Sequence, residues 1–283
     1  MSLQFSILLP TFKGSFLKEC IDSVLAQTCD NWELIIVNDA SPEDIDKIVV
    51  SYNDPRIRYY KNTQNYGAKR LVEQWNYCLS LAQGEYVICM GDDDRLLPTC
   101  LETYAELIQR YPNVSIMHGQ TDIIDEHSQL IRHTAERPER ESAISMIYHR
   151  IYDRRAQYIG DFCYKTAELR TRGGYYNLPY AWGSDDISAI QAADKNGITN
   201  TQEVVFEYRD NSASITRQSY TFGKMYATLL KMLWLCKYLR EPATDSQDES
   251  YRRQLKRKLL YQTCLQWYYL LYHSCNKTNI RLS

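Results

Sequence analysis

The sequence predicts an α/β fold with a mostly parallel central sheet flanked by helices, followed by a C-terminal helical appendage, and three observations predict it. Short apolar or β-branched runs alternate with helix-period segments through the first two hundred or so residues, the pattern of strands crossed by helices in one sheet. After about Ser219 that alternation stops and two long helical patterns take over. A length of 283 residues leaves room for one large domain with such an appendage.

Phe5 to Leu9 reads as the first strand, and Phe16, Leu17, Cys20, Ile21, Val24 and Leu25 recur behind it at helical spacing. Trp32 to Val37 is the second strand. Pro42 to Val50 starts as a helix, with Ser41 as cap and proline in the first turn, where its missing N–H costs nothing. Ile57 to Tyr60 is a third strand after the Asp54-Pro55 turn. Leu71 to Ala82 is helical and ends at Gly84, and Tyr86 to Met90 is a buried strand. Pro98 opens a helix whose Leu101, Tyr104, Ala105 and Ile108 share a face until Pro112 stops it. Val114 to His118 is a further strand, and the polar stretch from Asp125 to Arg140, with no sustained period, predicts a long surface loop. Ile187, Ile190 and Ala193 define a later helix ended by Gly197, and Val204 to Tyr208 is the last strand.

In the C-terminal part, Phe222, Met225, Tyr226, Leu229 and Leu233 share one helical face, and a second helix runs from Tyr251 to about Ser274 beyond a polar linker, Glu241 to Glu249. Leu259 to Tyr272 is shorter than the ~20 apolar residues that a spanning helix needs, so no transmembrane segment is expected. It follows Arg252, Arg253, Lys256, Arg257 and Lys258, and a basic run beside an aromatic helix suits a membrane interface. Packing on the α/β domain or on a second subunit is the equal alternative. The expected organisation is one α/β domain over residues 1–218 with a helical extension over 219–283.

Thirty-three Lys and Arg against thirty-five Asp and Glu leave a formal net charge of -2, which argues against a nucleic-acid binder that relies on a basic field. The nine cysteines show no C-x-x-C pair and no zinc-like spacing, and several sit in apolar runs, which predicts reduced thiols that fill the core. No basic region followed by a long apolar one precedes the first strand, so the expected location is cytoplasmic, with peripheral contact on the inner face of the cell membrane as an extension of that reading.

Chemistry concentrates at three places. Asp92, Asp93 and Asp94 follow Gly91 at the end of a buried strand, where open α/β sheets bind ligands, and their mutual repulsion is relieved if a hard divalent cation sits between them and a polyphosphate. A solvated acidic turn with a capping Asp is the plain alternative. Asp39 ends the second strand, as a ligand or as a turn former. Asp185 and Asp186 open a helix; adjacent carboxylates raise each other's proton affinity, which makes a base near neutral pH available, and capping is again the alternative.

At these places the chain resembles family 2 glycosyltransferases of the GT-A fold, from residue 3 to about residue 216. Pro10 to Lys13 resembles the family's opening P-T/S-Y/F loop, and Ser23 to Thr28 its S-x-L-x-Q-T helix end. Val37 to Ser41 is similar to the V-D-D-G-S element, Asn65 to Gly67 to the N-x-G loop, and Gly84 through Asp94 to Pro98 to the G-E-Y-x(4)-D-x-D-D-x(3)-P run. Gly173 to Tyr175, then Asp185, Asp186 and Gly197, resembles the G-G-F/Y stretch and the E-D helix. Tyr208, Arg209, Ser212 and Ser214 resemble the Y-R-x-x-x-x-S-x-S segment.

The resemblance implies that residues 1–218 are a catalytic domain, its nucleotide-sugar half over about 1–118 and its acceptor half over about 119–218, and it implies a nucleotide-diphospho-sugar donor, a UDP-sugar first, and a divalent metal, Mn2+ or Mg2+. It implies that Pro10, Thr11, Phe12 and Asp39 hold the base and ribose, with Asp92 near the ribose, Asp93 as metal ligand and Asp94 at the sugar or the metal. Asp186 aligns with the catalytic base and Asp185 with the acid before it. Inversion at the anomeric carbon, and a glycan or lipid-linked acceptor in surface-polysaccharide synthesis, follow from the same resemblance. Arg70, Lys69 and Arg209 are secondary candidates for phosphate contact. The sequence departs from the pattern at Asn38, which replaces the first acid of the usual pair, at Gly91, where a leading Asp often lies, and at Asp185, which replaces Glu. A nucleotidyltransferase, or a glycan- or nucleotide-binding protein that keeps the fold without catalysis, is the alternative. The acceptor region between about Thr121 and Trp182 carries Tyr148, Tyr152, Tyr158, Tyr175, Tyr176 and Tyr180, suited either to stacking on sugars or to an ordinary core.

Overall fold

The structure, a computed structural model, describes residues 4–211 and 220–280, without the side chains of 273–280. Ser212 and Ser214 therefore lie outside the described residues.

Four parallel strands form one half of the sheet: β1 (Phe5–Thr11), β2 (Trp32–Asn38), β3 (Ile57–Lys61) and β4 (Tyr86–Cys89), in the order β3-β2-β1-β4. Alternate residues of β1 face opposite sides. Ile7 and Leu9 pack with α1 (Leu17–Leu25), α2 (Ile45–Val50) and α4 (Cys100–Arg110), whereas Leu8 packs with α3 (Leu71–Leu81). Burial on both faces is why these strands read as continuous apolar runs. The register sets Thr11 opposite Asn38 and Leu8 opposite Cys89, so β1, β2 and β4 all deliver their carboxyl ends to one rim.

The other half is not parallel throughout. The short strand β9 (Phe162–Lys165) runs antiparallel between β4 and β6 (Ile116–Ile124), while the long β10 (Ile198–Arg209) is parallel to β6 and antiparallel to β5 (Arg95–Leu96). The sheet is mixed. Four residues of β9 are too few to show a period. The stretch Asp125 to Arg140, expected as a loop, contains β7 (Leu130–His133), folded back on β6, and part of β8 (Arg140–Glu141), paired with β10. Asp125 builds the turn by accepting from the amides of His127 and Gln129, both at 2.8 Å, and because all four residues of β7 are exposed its sequence alternates nothing.

The helix expected from Pro42 begins at Ile45, capped by Asp44, which accepts from Lys47 N. Ser41 is committed elsewhere: its hydroxyl donates to the carbonyl of Phe12 at 2.6 Å. Between β8 and β9 lies α5 (Ala143–Tyr152), and α6 (Thr166–Thr171) and α7 (Ser184–Ala193) follow. The C-terminal helices α8 (Thr221–Tyr238) and α9 (Ser246–Ile280) are set into the core on the α3 side, where Leu235, Leu239, Leu255 and Leu259 pack with buried residues of α5 and α7. Cys20, Cys78, Cys89, Cys100 and Cys163 are buried as free thiols. Among the described residues no helix is long and apolar enough to cross a membrane.

Candidate active site

The rim where β1, β2 and β4 end borders a cleft of about 600 Å³, and side chains from all three acidic stretches line it: Asp39, Asp92 to Asp94, and Asp185 with Asp186. Ligands of open α/β sheets bind at such an edge.

The acidic turn after β4 is held from two sides. Asp92 accepts from the amides of Phe12 at 2.7 Å and Lys13 at 2.8 Å and from the Thr11 hydroxyl at 3.2 Å, which ties it to the turn after β1. Asp94 is buried and accepts from the amides of Arg209 at 3.0 Å and Gly91 at 3.3 Å. Asp93 faces the cleft with Asn211 donating to it, and burial, then the charge of Asp92, pushes its carboxyl up to about 6. Burial raises Asp92 and Asp94 as well. A Cβ on Gly91 would stand 2.7 Å from Asp93 Oδ1 and 2.9 Å from Asp94 Oδ2, so the glycine makes room for the two carboxylates after it. Arg209 does not reach the cleft. Its fully buried guanidinium donates to the Asp93 carbonyl at 2.8 Å, the Asp125 carbonyl at 3.1 Å, Ser128 Oγ at 2.9 Å and Glu19 at 2.9 Å, and so clamps the acidic turn from behind.

Pro10, Thr11, Phe12 and Asp39 form the wall next to that turn. Phe12 is exposed where it lines the cleft, with 41% of its surface accessible. Asp39 accepts from Asn62 Nδ2 and Tyr66 N, both at 2.9 Å, and from Gly67 N at 3.1 Å, so it also anchors the Asn65 to Gly67 loop. The Asn38 departure has a local reason: its Nδ2 donates to the Tyr59 hydroxyl at 2.9 Å while its Oδ1 accepts from Ser41 N, and an aspartate has no hydrogen for the first bond. Lys69 and Arg70 stand outside the cleft lining, and Arg70 is paired with Glu73 and lies over the Tyr66 ring.

The start of α7 lines the same cleft. Asp186 is buried, accepting from Arg150 Nε at 3.0 Å, from Gln157 Nε2 at 2.7 Å and from Lys231 of α8. Burial works against its charge, and the two cations outweigh that and hold the carboxyl well below the usual range. Asp185 beside it is partly exposed and makes no side-chain hydrogen bond among the described residues; burial, then the charge of Asp186, pushes it up to about 6. The turn into α7 is strained, with Tyr180 and Ala181 at φ of 59° and 55°. It carries Trp182 to the cleft. Tyr158 and Tyr208, stacked at 3.5 Å between centroids, line the cleft too.

Of the tyrosines singled out above, Tyr158 and Tyr180 line the cleft, Tyr175 is in the core, and Tyr148 stacks on Tyr152 and on Tyr251 of α9. Sequence reasoning missed Arg150, Gln157, Lys231 and Gln266. Each is an ordinary polar residue outside any motif, and only the fold brings it to the cleft.

A family model described as Glycosyl transferase family 2 matches residues 6–177. EpsE of Bacillus subtilis (strain 168), which its name places among glycosyltransferases, is 26% identical over 234 residues, 81% of this chain and 80% of that one. Rickettsia conorii RC0461, named an uncharacterized glycosyltransferase, is 34% identical over 132 residues, 45% of this chain and 21% of that one, so the chain spans about a fifth of that relative. Escherichia coli WfgD, named UDP-Glc:alpha-D-GlcNAc-diphosphoundecaprenol beta-1,3-glucosyltransferase, is 24% identical over 218 residues, 76% and 80% of the two chains. In fold the chain is similar to S. aureus TarS 1-349 in complex with UDP-GlcNAc, with a TM-score of 0.71 at 16% identity over 92% of this chain and 72% of that one. It is also similar to the mannosyltransferase PcManGT of Pyrobaculum calidifontis in complex with GDP-Man and Mn2+, with a TM-score of 0.57 at 15% identity over 94% and 74% of the two chains.

Proposed function

The chain belongs to glycosyl transferase family 2, and from that premise we propose that it is an inverting enzyme that moves a hexosyl or N-acetylhexosaminyl group from a UDP-sugar to a hydroxyl of a glycan or lipid-linked glycan, in the synthesis of a surface polysaccharide. The observation that carries this reading is that two acidic stretches line one cleft, Asp92 with Asp93 after β4 and Asp185 with Asp186 at the start of α7. A donor diphosphate fits against the first stretch and an acceptor hydroxyl against the second. The UDP-GlcNAc bound to TarS and the donor and acceptor in the name of WfgD support the choice of substrate class.

The donor set fits a divalent cation shared with the substrate. Among the described residues no group of three or more His, Cys, Asp or Glu is arranged to hold a metal alone. Mg2+ and Mn2+ sites of one or two carboxylates, completed by phosphate oxygens and water, need no such group. Asp93 would hold the ion, with the second oxygen of Asp92 near it; Asp94, committed to two amides, braces the turn. When bound, the cation supplies positive charge to a leaving diphosphate. Thr11, Phe12 and Asp39 would seat the nucleoside, Phe12 by its exposed ring.

For the base, the family alignment points to Asp186 and the geometry favours Asp185. Asp186 has both oxygens taken by Arg150, Gln157 and Lys231, whereas Asp185 lines the cleft with no side-chain hydrogen bond among the described residues. Asp185 then takes the proton from the acceptor hydroxyl as that oxygen bonds to the anomeric carbon and the bond from that carbon to the diphosphate oxygen breaks. Asp186 fixes the start of α7 and keeps Asp185 in place. UDP release from a panel of UDP-sugars, with glycan acceptors and manganese, tests this. Asp185→Asn should lower kcat by ~10³ with unchanged donor affinity, and Asp186→Asn should lower the melting temperature as well. A folded, inactive Asp186→Asn beside an active Asp185→Asn returns the base to Asp186, and pyrophosphate formed from a nucleoside triphosphate would replace glycosyl by nucleotidyl transfer.

A further inference from the structure

The helical pair α8–α9 has an outer face that the catalytic reading does not use. Its inner face is accounted for: Leu235, Leu239, Leu255 and Leu259 are in the core, and Thr228, Lys231 and Gln266 line the cleft. The two helices run antiparallel, since Arg252 Nη1 donates to the Leu239 carbonyl at 2.8 Å and Trp267 Nε1 to the Met225 carbonyl at 3.0 Å. On α9 the exposed residues recur at helical spacing: Arg253, Lys256 and Arg257, then Leu260 and Tyr261, Cys264, Tyr268 and Leu271. They form one stripe about 27 Å long from Arg253 to Leu271 at 1.5 Å per residue. The apolar end is extended by α8, where Phe222 and Tyr226 flank the Met225 to which Trp267 is bonded. Phe222 is 83% exposed, and Leu260 and Tyr268 are each 66% exposed.

Charge selects what this face meets. From Ser250 to Tyr272 there are five cations and no acidic residue. Arg252 and Arg253 both pair with Glu249 and Lys258 lies over the Tyr152 ring, while Lys256 and Arg257 are exposed, with Lys237 of α8 and Arg240 just after that helix exposed at the same end. A second copy laid face to face would bring Lys256 and Arg257 toward like charges, which a layer of phosphate headgroups would not. Tyrosine and leucine beside lysine and arginine suit a headgroup layer, where the ring enters the acyl boundary and its hydroxyl stays wet. We propose that the outer face of α8–α9 docks on an anionic phospholipid surface, Lys256 and Arg257 meeting the headgroups and Phe222, Leu260, Tyr268 and Leu271 entering the acyl boundary. The cleft, lined by the same two helices, is then held at the lipid surface.

Flotation of the full chain with vesicles tests this. Binding is expected to phosphatidylglycerol–phosphatidylcholine vesicles and not to phosphatidylcholine alone, and salt should reverse it. K256Q/R257Q should weaken binding roughly 30-fold, at about a factor of 5 to 6 for each charge. L260Q/Y268Q should weaken it independently, with the melting temperature showing that both variants fold. Absence of flotation with anionic vesicles, equal binding to neutral ones, or full binding by the folded charge variant would overturn the proposal. So would a lipid-free dimer that L260Q/Y268Q dissociates, which would make the face a contact between two copies. None of these readouts depends on sugar transfer, so they stand or fall apart from the catalytic reading.

Discussion

A Cβ added to Gly183 would stand 2.7 Å from Cδ of Lys231, so the residue before α7 is what allows the α8 lysine to pass and reach Asp186. Gly183 also sits at φ +86°, where side chains are costly. Gly183→Ala should lose about 1–3 kcal/mol of stability in a denaturant melt and lower kcat, because strain and displacement of Lys231 add. Shortening the lysine in the same chain, Gly183→Ala with Lys231→Ala, should restore the steric part and leave the strain. A double variant no better than the sum of the singles would mean that the two residues act separately.

Protonation of Asp185 sets the expected pH dependence. A base works ionised, and Asp185 sits at about 6, so kcat/KM should fall tenfold per pH unit below that value and be level above it. Arg150 and Lys231 both lower Asp185, so Lys231→Met should move the break to higher pH. The stability sign runs the other way. A carboxyl raised by folding stabilises fully below its unfolded value and loses that contribution as pH rises through about 6. A rate profile whose break does not move in Lys231→Met removes Asp185 from the base role.

The parallel half of the sheet and the three acidic stretches were legible because each strand there is buried on both faces and ends in a polar turn, a contrast visible along the chain. Asp39, Asp93 and Asp185 inherit their positions from that punctuation. The mixed half was not legible: β9 has four residues, and β7 is exposed throughout, so neither carries a period. Arg209 shows a further limit. A conspicuous arginine after a strand suggests a phosphate ligand, and only the fold shows it turned inward onto carbonyls. Arg150 and Lys231 lie on helices far from any motif, and a cation on a helix carries no mark of which neighbour it will meet.

Arg209 and Arg70 should separate sharply. Arg209→Ala leaves two carbonyls and a hydroxyl without their donor behind the acidic turn, a loss of roughly 3 kcal/mol at ordinary hydrogen-bond values, with weaker binding of UDP and manganese as the turn loosens. Arg70→Ala removes one exposed, solvent-screened pair with Glu73 and should leave the melting temperature where it is in the wild type. Thermal melts with and without UDP check both. A stable Arg209→Ala that loses only UDP affinity would make this arginine a phosphate ligand after all.

Asp93 and Asp94 are adjacent, and their substitutions should fail in different ways. Asp93 faces the cleft and its partner Asn211 is a side chain that can turn, so Asp93→Asn should keep its melting temperature. What it should lose is the manganese-dependent part of UDP affinity, the same part that a chelator removes from the wild-type chain. Asp94 accepts from two amides fixed in the backbone, Arg209 N and Gly91 N, and in Asp94→Asn the new NH2 group must face one of them. That variant should lose about 1–3 kcal/mol of stability before any effect on metal is read. Isothermal titration of UDP with and without manganese, beside a melt of each variant, measures both. If Asp94→Asn were as stable as wild type and blind to manganese, metal binding would move from Asp93 to Asp94, and the turn would be read one residue later.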